Sequence, residues 1–204
     1  MKAVLLATVL ALMALPASAK GPVSFGIHAN GAFLNVPPPL DPAYGFGYGG
    51  GLHLDINFIP GTNLRISGDY ISFGLNEDDY KKVAAEYNPG FGSTGFSLSG
   101  GRISILSASA NGRFGLPFPV VSPYITAGVG IAVIGSSDLS VSYLGQVVSP
   151  SPEQSDETKP SLNIGGGVDL NIAVATIFVE AKYTVIFTSR ESSSYIPITI
   201  GVTF

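Results

Sequence analysis

Hydrophobic and polar residues alternate along most of this chain with a period of two. Between Leu162 and Ile172, leucine, isoleucine and valine take every second position except for one glycine, while Asn163, Asp169 and Asn171 lie among the positions between them. The final stretch of the chain alternates in the same way. A helix would scatter these residues around its circumference, whereas a strand presents each set on its own side. The pattern therefore predicts β-strands with one apolar and one polar face.

Segments of this kind recur along the chain, and most have about the ten-residue length with which a tilted strand crosses a bilayer. The alternation in the fourth segment changes phase, which predicts a β-bulge near Ile105 or a start nearer Leu106. The third segment has a similar irregularity at Ile71–Phe73. The eight predicted strands are Val23–Val36, Gly45–Ile59, Leu64–Gly74, Arg102–Phe114, Tyr124–Ile134, Leu162–Ile172, Ile177–Phe187 and Tyr195–Phe204.

The connections between these segments alternate in length. Short connections follow the second, fourth and sixth segments, and the others are mostly longer. Outer-membrane barrels have an even number of antiparallel strands, short periplasmic turns and longer outside loops. The sequence therefore predicts an all-β fold, an eight-stranded antiparallel up-and-down transmembrane β-barrel, with its short turns facing the periplasm.

The composition favours a lipid environment. Only 12% of the residues are charged and the mean hydropathy is positive, whereas a soluble domain carries about a quarter charged residues. The formal net charge of −4 leaves no broad basic surface for nucleic acid. Because the chain has no cysteine, disulfides and thiolate metal sites are excluded.

The first residues have the pattern of a secretory leader. Lys2 supplies the positive charge, Ala3–Leu15 is apolar, and Pro16–Ala19 ends in the small residues that a signal peptidase accepts. We therefore expect a cleaved signal peptide at residues 1–19, followed by the barrel domain at residues 20–204. This export predicts a location in the outer membrane of a Gram-negative-type cell.

The leader, the eight alternating segments and the closing sequence together resemble the small outer-membrane barrels of the group that contains the OmpA transmembrane domain, OmpX and OmpW. The resemblance implies a stand-alone barrel in contact with outer-membrane lipids and lipopolysaccharide. It also implies recognition by the barrel-assembly machinery through the last strand and its terminal phenylalanine. The chain departs from the group in having no tryptophan. The residues that match the assembly signal are Tyr195, Ile198, Ile200, Val202 and Phe204.

The predicted inward faces hold nearly all the charge found within strands. Eight strands enclose a space that side chains can fill, and both signs of charge are present. We expect ion pairs between Asp55 and Arg65 and between Asp169 and Lys182, which lie on neighbouring strands. The resulting hypothesis is a polar network that plugs the lumen, and its rival is a gated ion path in which the pairs exchange partners. The expected network comprises His53, Asp55, Arg65, Asp69, Arg113, Asp169, Glu180 and Lys182.

No catalytic, cofactor or metal site is predicted. His53 and Asp55 share a face, as a general base and its orienting carboxylate would. They lie in mid-strand and point inward, however, so we expect hydrogen-bonded lumen residues. His28 is too isolated to indicate a metal site. The runs Gly49–Gly51 and Gly165–Gly167 open no helix and match no phosphate-binding motif, so they are interpreted as structural.

The predicted function is a non-enzymatic outer-membrane barrel that supports envelope integrity or surface contact through its outer loops. The loops at 75–101 and 135–161 are the candidate surfaces for an extracellular ligand. One alternative is a narrow channel for small or apolar solutes. A lipid-active enzyme and a soluble carrier barrel with its apolar face inward are the others.

Overall fold

The structure is a computed structural model that describes residues 22–35, 44–76, 96–116, 118–136, 139–143, 146–148, 157–172, 174–187 and 192–204. The expected leader lies outside the described residues. Within them there is no helix long and apolar enough to cross a membrane. The strands are β1 (Val23–Asn35), β2 (Tyr44–Ile59), β3 (Thr62–Leu75), β4 (Phe96–Gly100), β5 (Ile103–Gly115), β6 (Val121–Ser136), β7 (Leu139–Tyr143), β8 (Gln146–Val148), β9 (Glu157–Ile172), β10 (Ala175–Ile186) and β11 (Ser193–Thr203).

Eight of these strands form a closed antiparallel barrel in the order β1-β11-β10-β9-β6-β5-β3-β2. Each predicted segment corresponds to one barrel strand, so the predicted fold is confirmed. The first and last strands close the sheet through a continuous register from Gly26↔Thr203 to Asn35↔Ser194. Closure leaves no unpaired sheet edge, as a lipid environment requires.

The short turns lie together at one end of the barrel. Gly61 follows Pro60 in the β2–β3 turn with a φ of 81°, a backbone conformation that favours glycine. Its carbonyl accepts a hydrogen bond of 2.6 Å from the backbone N–H of Gly115 at the end of β5. Neighbouring turns are therefore tied to each other at this end.

The opposite end carries regular structure that the sequence analysis assigned to loops. Strands β4, β7 and β8 form a separate three-stranded sheet within the stretches 75–101 and 135–161. Strand β9 also begins earlier than predicted, because Glu157 already pairs with Ile134 of β6. The sequences of Phe96–Gly100 and Leu139–Tyr143 also alternate between apolar and polar residues, but these runs are too short to be predicted as bilayer-spanning strands.

The phase changes in the third and fourth segments have a different cause from the one predicted. The β3–β5 register runs from Thr62↔Phe114 to Phe73↔Ile103 without a shift, so the bulge expected near Ile105 is absent and that prediction was wrong. Instead, apolar side chains turn inward at the end of the barrel opposite the short turns. We call them the outer apolar cluster: Ala32, Ile71, Phe73, Ile105, Ala132, Ile186 and Tyr195.

Between this cluster and the short turns, the two faces of the barrel differ as expected for a membrane protein. Outward side chains are apolar and exposed, such as Leu52 at 60% and Ile125 at 67% exposure. By contrast, the inward side chains of Asp55 and Glu180 are 3% and 2% exposed. A soluble carrier needs the opposite arrangement, so the structure contradicts that alternative.

Glycines make room for the large side chains inside the barrel. A Cβ at Gly201 would lie 2.6 Å from the ring of Phe178, and one at Gly51 would lie 2.6 Å from Nε2 of His28. Real Cβ atoms do not approach other atoms so closely. The glycine residues on the inner face are therefore packing positions for bulky neighbours on the next strand.

Candidate functional site: the charged lumen

A buried ion pair lies where β2 pairs with β3. Asp55 and Arg65 are direct partners in the register, and each is 3% exposed. Arg65 donates from Nε to Oδ1 of Asp55 at 2.7 Å and from Nη2 to Oδ2 at 2.8 Å. This two-point contact fixes both side chains in one geometry. It is the contact expected for these two residues on paired strands.

Arg113 on β5 connects three carboxylates from three other strands. Its Nη2 donates to Oδ1 of Asp169 at 2.8 Å. Its Nη1 lies 3.7 Å from Oδ2 of Asp55, and its Nε lies 3.8 Å from Oε2 of Glu180. The guanidinium carbon stands 3.7 Å from the centre of the Tyr124 ring, a cation–π distance. Arg113 is therefore the centre of the ionic network.

Glu180 links this centre to the next cation along its own strand. Lys182 lies 3.0 Å from Oε1 of Glu180, because residues two apart on a strand share a face. The hydroxyl of Tyr124 donates to Oε2 at 3.0 Å. The expected contact between Asp169 and Lys182 was wrong: Lys182 pairs with Gly165, four positions along β9 from Asp169.

A second chain of hydrogen bonds runs through both histidines and joins the neighbouring strands β11, β1, β2 and β3. Oδ1 of Asp69 lies 2.6 Å from Nε2 of His28 and accepts a bond of 2.9 Å from Asn30. Nδ1 of His28 lies 3.1 Å from Nδ1 of His53, and Nε2 of His53 lies 2.8 Å from Oγ1 of Thr203. A hydrogen bond needs one donor and one acceptor, so the two Nδ1 atoms share a single proton.

This arrangement differs from a catalytic dyad. Asp55 directs both its oxygens at Arg65 and does not orient His53, whose ring nitrogens contact His28 and Thr203. Among the described residues there is no group of three or more histidine, aspartate or glutamate side chains that could hold a metal ion. The contacts of both histidines join side chains of different strands inside the barrel.

Phe178 occupies the middle of the charged region. The guanidinium of Arg65 stands 4.2 Å from the ring centre and that of Arg113 stands 5.8 Å away. The His53 ring meets Phe178 edge-on at 5.2 Å. An aromatic face between two guanidinium groups offsets part of their mutual repulsion. Phe178 itself is 1% exposed.

The lumen has a small cavity in its middle and a larger one at its short-turn end. Beside Asp69 and Lys182 a cavity measures only about 20 Å³, which holds about one water molecule. The outer apolar cluster lies beyond it. At the opposite end, a vestibule of about 570 Å³ opens among the short turns, with Arg113, Tyr124 and Asp169 in its wall. The described lumen is therefore open at one end and filled above it.

The residues expected to form the assembly signal divide between the two faces of β11. Ile198, Ile200 and Phe204 are exposed on the outside, while Tyr195 is buried inside at 4% exposure. The ring of Phe204 lies 5.9 Å from that of Phe25. The outward members of the set remain accessible on the lipid-facing side.

A closed barrel with an apolar exterior and an ionic interior defines a transmembrane β-barrel. The chain belongs to the outer-membrane protein β-barrel domain family, whose pattern it matches over residues 3–203. This membership supports a location in the outer membrane. The chain matches no curated protein.

Small outer-membrane barrels of known structure are similar to this chain at low sequence identity. Neisserial surface protein A has a TM-score of 0.52 and 16% identity, over 90% of this chain and 98% of its own. The attachment invasion locus protein Ail of Yersinia pestis has a TM-score of 0.49 and 17% identity, over 91% of this chain and 100% of its own. The N-terminal barrel domain of Pseudomonas aeruginosa OprF has a TM-score of 0.47 and 16% identity, over 89% of this chain and 97% of its own. At this identity the likeness concerns the fold alone.

Proposed function

We propose that this chain is a non-enzymatic outer-membrane barrel with a closed lumen, which supports envelope integrity or surface contact through the stretches 75–101 and 135–161. The observation that carries the proposal is the filled interior. Arg113 contacts carboxylates of three other strands, a cavity of about 20 Å³ lies above it, and the outer apolar cluster follows. Solutes have no continuous path through side chains packed in this way.

Single-channel recording tests the closed lumen. The purified barrel in a planar bilayer is expected to give no steady conductance above that of the lipid. The variant Phe73→Ala removes a large, fully buried side chain of the outer apolar cluster and is the positive control for a loosened barrel. A large, steady conductance from the unmodified monomer would contradict the proposal.

A narrow channel is the second candidate, and one observation favours it. The vestibule leads from the short-turn end to Arg113 and Asp169, so ions can enter the lower part of the barrel. A channel would require Arg113 to change partners among its three carboxylates. Uptake of small charged and apolar solutes by liposomes distinguishes the two functions, because a plug admits neither class.

The surface role is assigned to the end that carries β4, β7 and β8. This small sheet gives the long connections a regular framework beyond the barrel. A chain that lacks residues 77–95 should retain the barrel and lose surface contact, as measured by adhesion of whole cells and by their sensitivity to detergent. Wild-type behaviour on both measures would remove these loops from the proposal.

The remaining parts of the proposal concern export and assembly. The leader at residues 1–19 is removed, and the barrel inserts among outer-membrane lipids and lipopolysaccharide with help from the barrel-assembly machinery. Phe204 and the outward Ile198 and Ile200 support recognition from the lipid side, because they remain exposed. Phe204→Ala should lower the amount of folded protein in the outer membrane, while the N-terminal sequence of mature protein should begin at Lys20.

A further inference from the structure

The outer surface of the barrel has a groove across β1, β2 and β3. Its volume is about 370 Å³ and its lining is mainly apolar. The register places its walls side by side, with Ile27 opposite Leu52 and Leu54 opposite Ile66. The apolar side chains that line it are Phe25, Ile27, Leu52, Leu54, Ile66 and Phe204.

The groove exists because one outward position of β3 has no side chain. Gly68 lies between the exposed Ile66 and Tyr70 on the same face and pairs with Leu52 of β2. A Cβ built at Gly68 would meet nothing within 4 Å. Most inward glycines of the barrel are crowded by a neighbour, so packing within the protein does not explain glycine here. At one end the groove is bounded by the contacting rings of Phe25 and Phe204.

We propose that this groove holds one acyl chain of a phospholipid. The groove is continuous with the apolar surface that the family's membrane location places against lipid, and its walls offer a chain almost only hydrocarbon. Phe25 and Phe204 lie toward the short-turn end. The assignment to a phospholipid therefore rests on the proposed orientation, in which that end faces the periplasmic leaflet.

Photolabelling of the folded, full-length barrel tests the proposal. The probe is a phosphatidylcholine with a mid-chain diazirine, in vesicles of phosphatidylethanolamine and phosphatidylglycerol. Labelling should be several-fold stronger on peptides with Leu52 or Ile66 than on those with Val129, an outward residue of β6. Gly68→Leu fills the groove and should remove this excess. Gly74→Leu is the matched control, because Gly74 is also outward on β3 with open space above it.

The outcomes separate the ligand from its alternatives. Equal labelling around the barrel, or an excess that survives Gly68→Leu, overturns the groove as a binding site. A lipopolysaccharide probe with the same diazirine that labels the groove in preference to the phospholipid overturns the phospholipid assignment. The heat-modifiable gel shift shows that each variant is folded. If Gly68→Leu does not fold, Ile66→Phe narrows the same groove from its wall and must reduce the labelling.

Discussion

Replacing Arg65 with methionine should destabilise the barrel strongly while leaving its shape intact. The substitution removes both short hydrogen bonds to Asp55 but retains an unbranched chain about as long as the aliphatic part of arginine. Asp55 stays buried at 3% exposure, and its remaining cation is Nη1 of Arg113 at 3.7 Å. Breaking one side of a buried pair costs about 3–5 kcal/mol. Because the contact between Asp55 and Arg113 remains, we expect the loss of stability to stay below the upper end of that range.

The paired variant shows whether the loss comes from the unpaired charge. Asp55→Asn combined with Arg65→Met removes both charges, and Arg113 keeps its contacts with Asp169 and Glu180. The double variant should therefore recover more than half of the lost free energy, because the penalty belongs mainly to the isolated carboxylate. Arg102→Met, at an exposed arginine outside the barrel strands, is the control and should change stability by less than about 1 kcal/mol.

Urea unfolding in lipid vesicles measures these free energies. The chain has no tryptophan, so the gel shift between folded and unfolded barrel and the circular dichroism signal are the suitable readouts. Additive losses in the double variant would refute the reasoning, because they would mean that Asp55 and Arg65 stabilise the barrel independently. A loss below about 1 kcal/mol for Arg65→Met would show that water reaches Asp55 as it reaches a surface group.

Three further predictions concern other parts of the lumen. Phe73→Ala should cost about 3–5 kcal/mol in the same unfolding assay, because the side chain is fully buried; a loss under about 1 kcal/mol would mean that the outer apolar cluster is loosely packed. Gly201→Ala should cost about 1–3 kcal/mol by overpacking against Phe178 and the Cβ of His28, and adding Phe178→Leu should restore part of it; equal losses with and without the second change would exclude the contact with Phe178. Nuclear magnetic resonance should detect a ¹⁵N–¹⁵N coupling through the hydrogen bond between the Nδ1 atoms of His28 and His53, and separate unshared protons on both atoms would contradict the contact.

The sequence pattern was sufficient for the barrel because the signal is repeated. Each strand repeats the same two-residue alternation, and the unequal connections fix the antiparallel order. The error at Ile71, Phe73 and Ile105 arose from assuming that the apolar side chains of these two segments all lie on the outer face. At the end opposite the short turns apolar residues occupy the inner face, which a period of two cannot distinguish from a change of register.

The site was predicted only as far as pairing between adjacent strands determines it. Asp55 and Arg65 meet on neighbouring strands, so their contact follows from the register. The contacts of Arg113 with Glu180, and of His28 with Asp69, join strands that are not neighbours in the barrel. They depend on the curvature of the closed barrel and on the lengths of the side chains. Tyr124 carries no charge and was therefore not included in the expected network, although the alternation along β6 places it on the inner face.

Accessibility along β9 tests most directly the claim that the apolar face meets lipid while the charged face is enclosed. The chain has no cysteine, so single cysteines at successive positions from Leu162 to Ile172 can each carry one spin label in lipid vesicles. The account predicts that oxygen, which partitions into lipid, collides frequently with labels at 164, 168 and 170. A label at 163 should be shielded from oxygen and from a water-soluble nickel complex, whereas a label at 169, in the wall of the vestibule, should meet nickel but little oxygen. High nickel accessibility at 163, together with the absence of any oxygen alternation along the strand, would contradict the closed, lipid-embedded barrel.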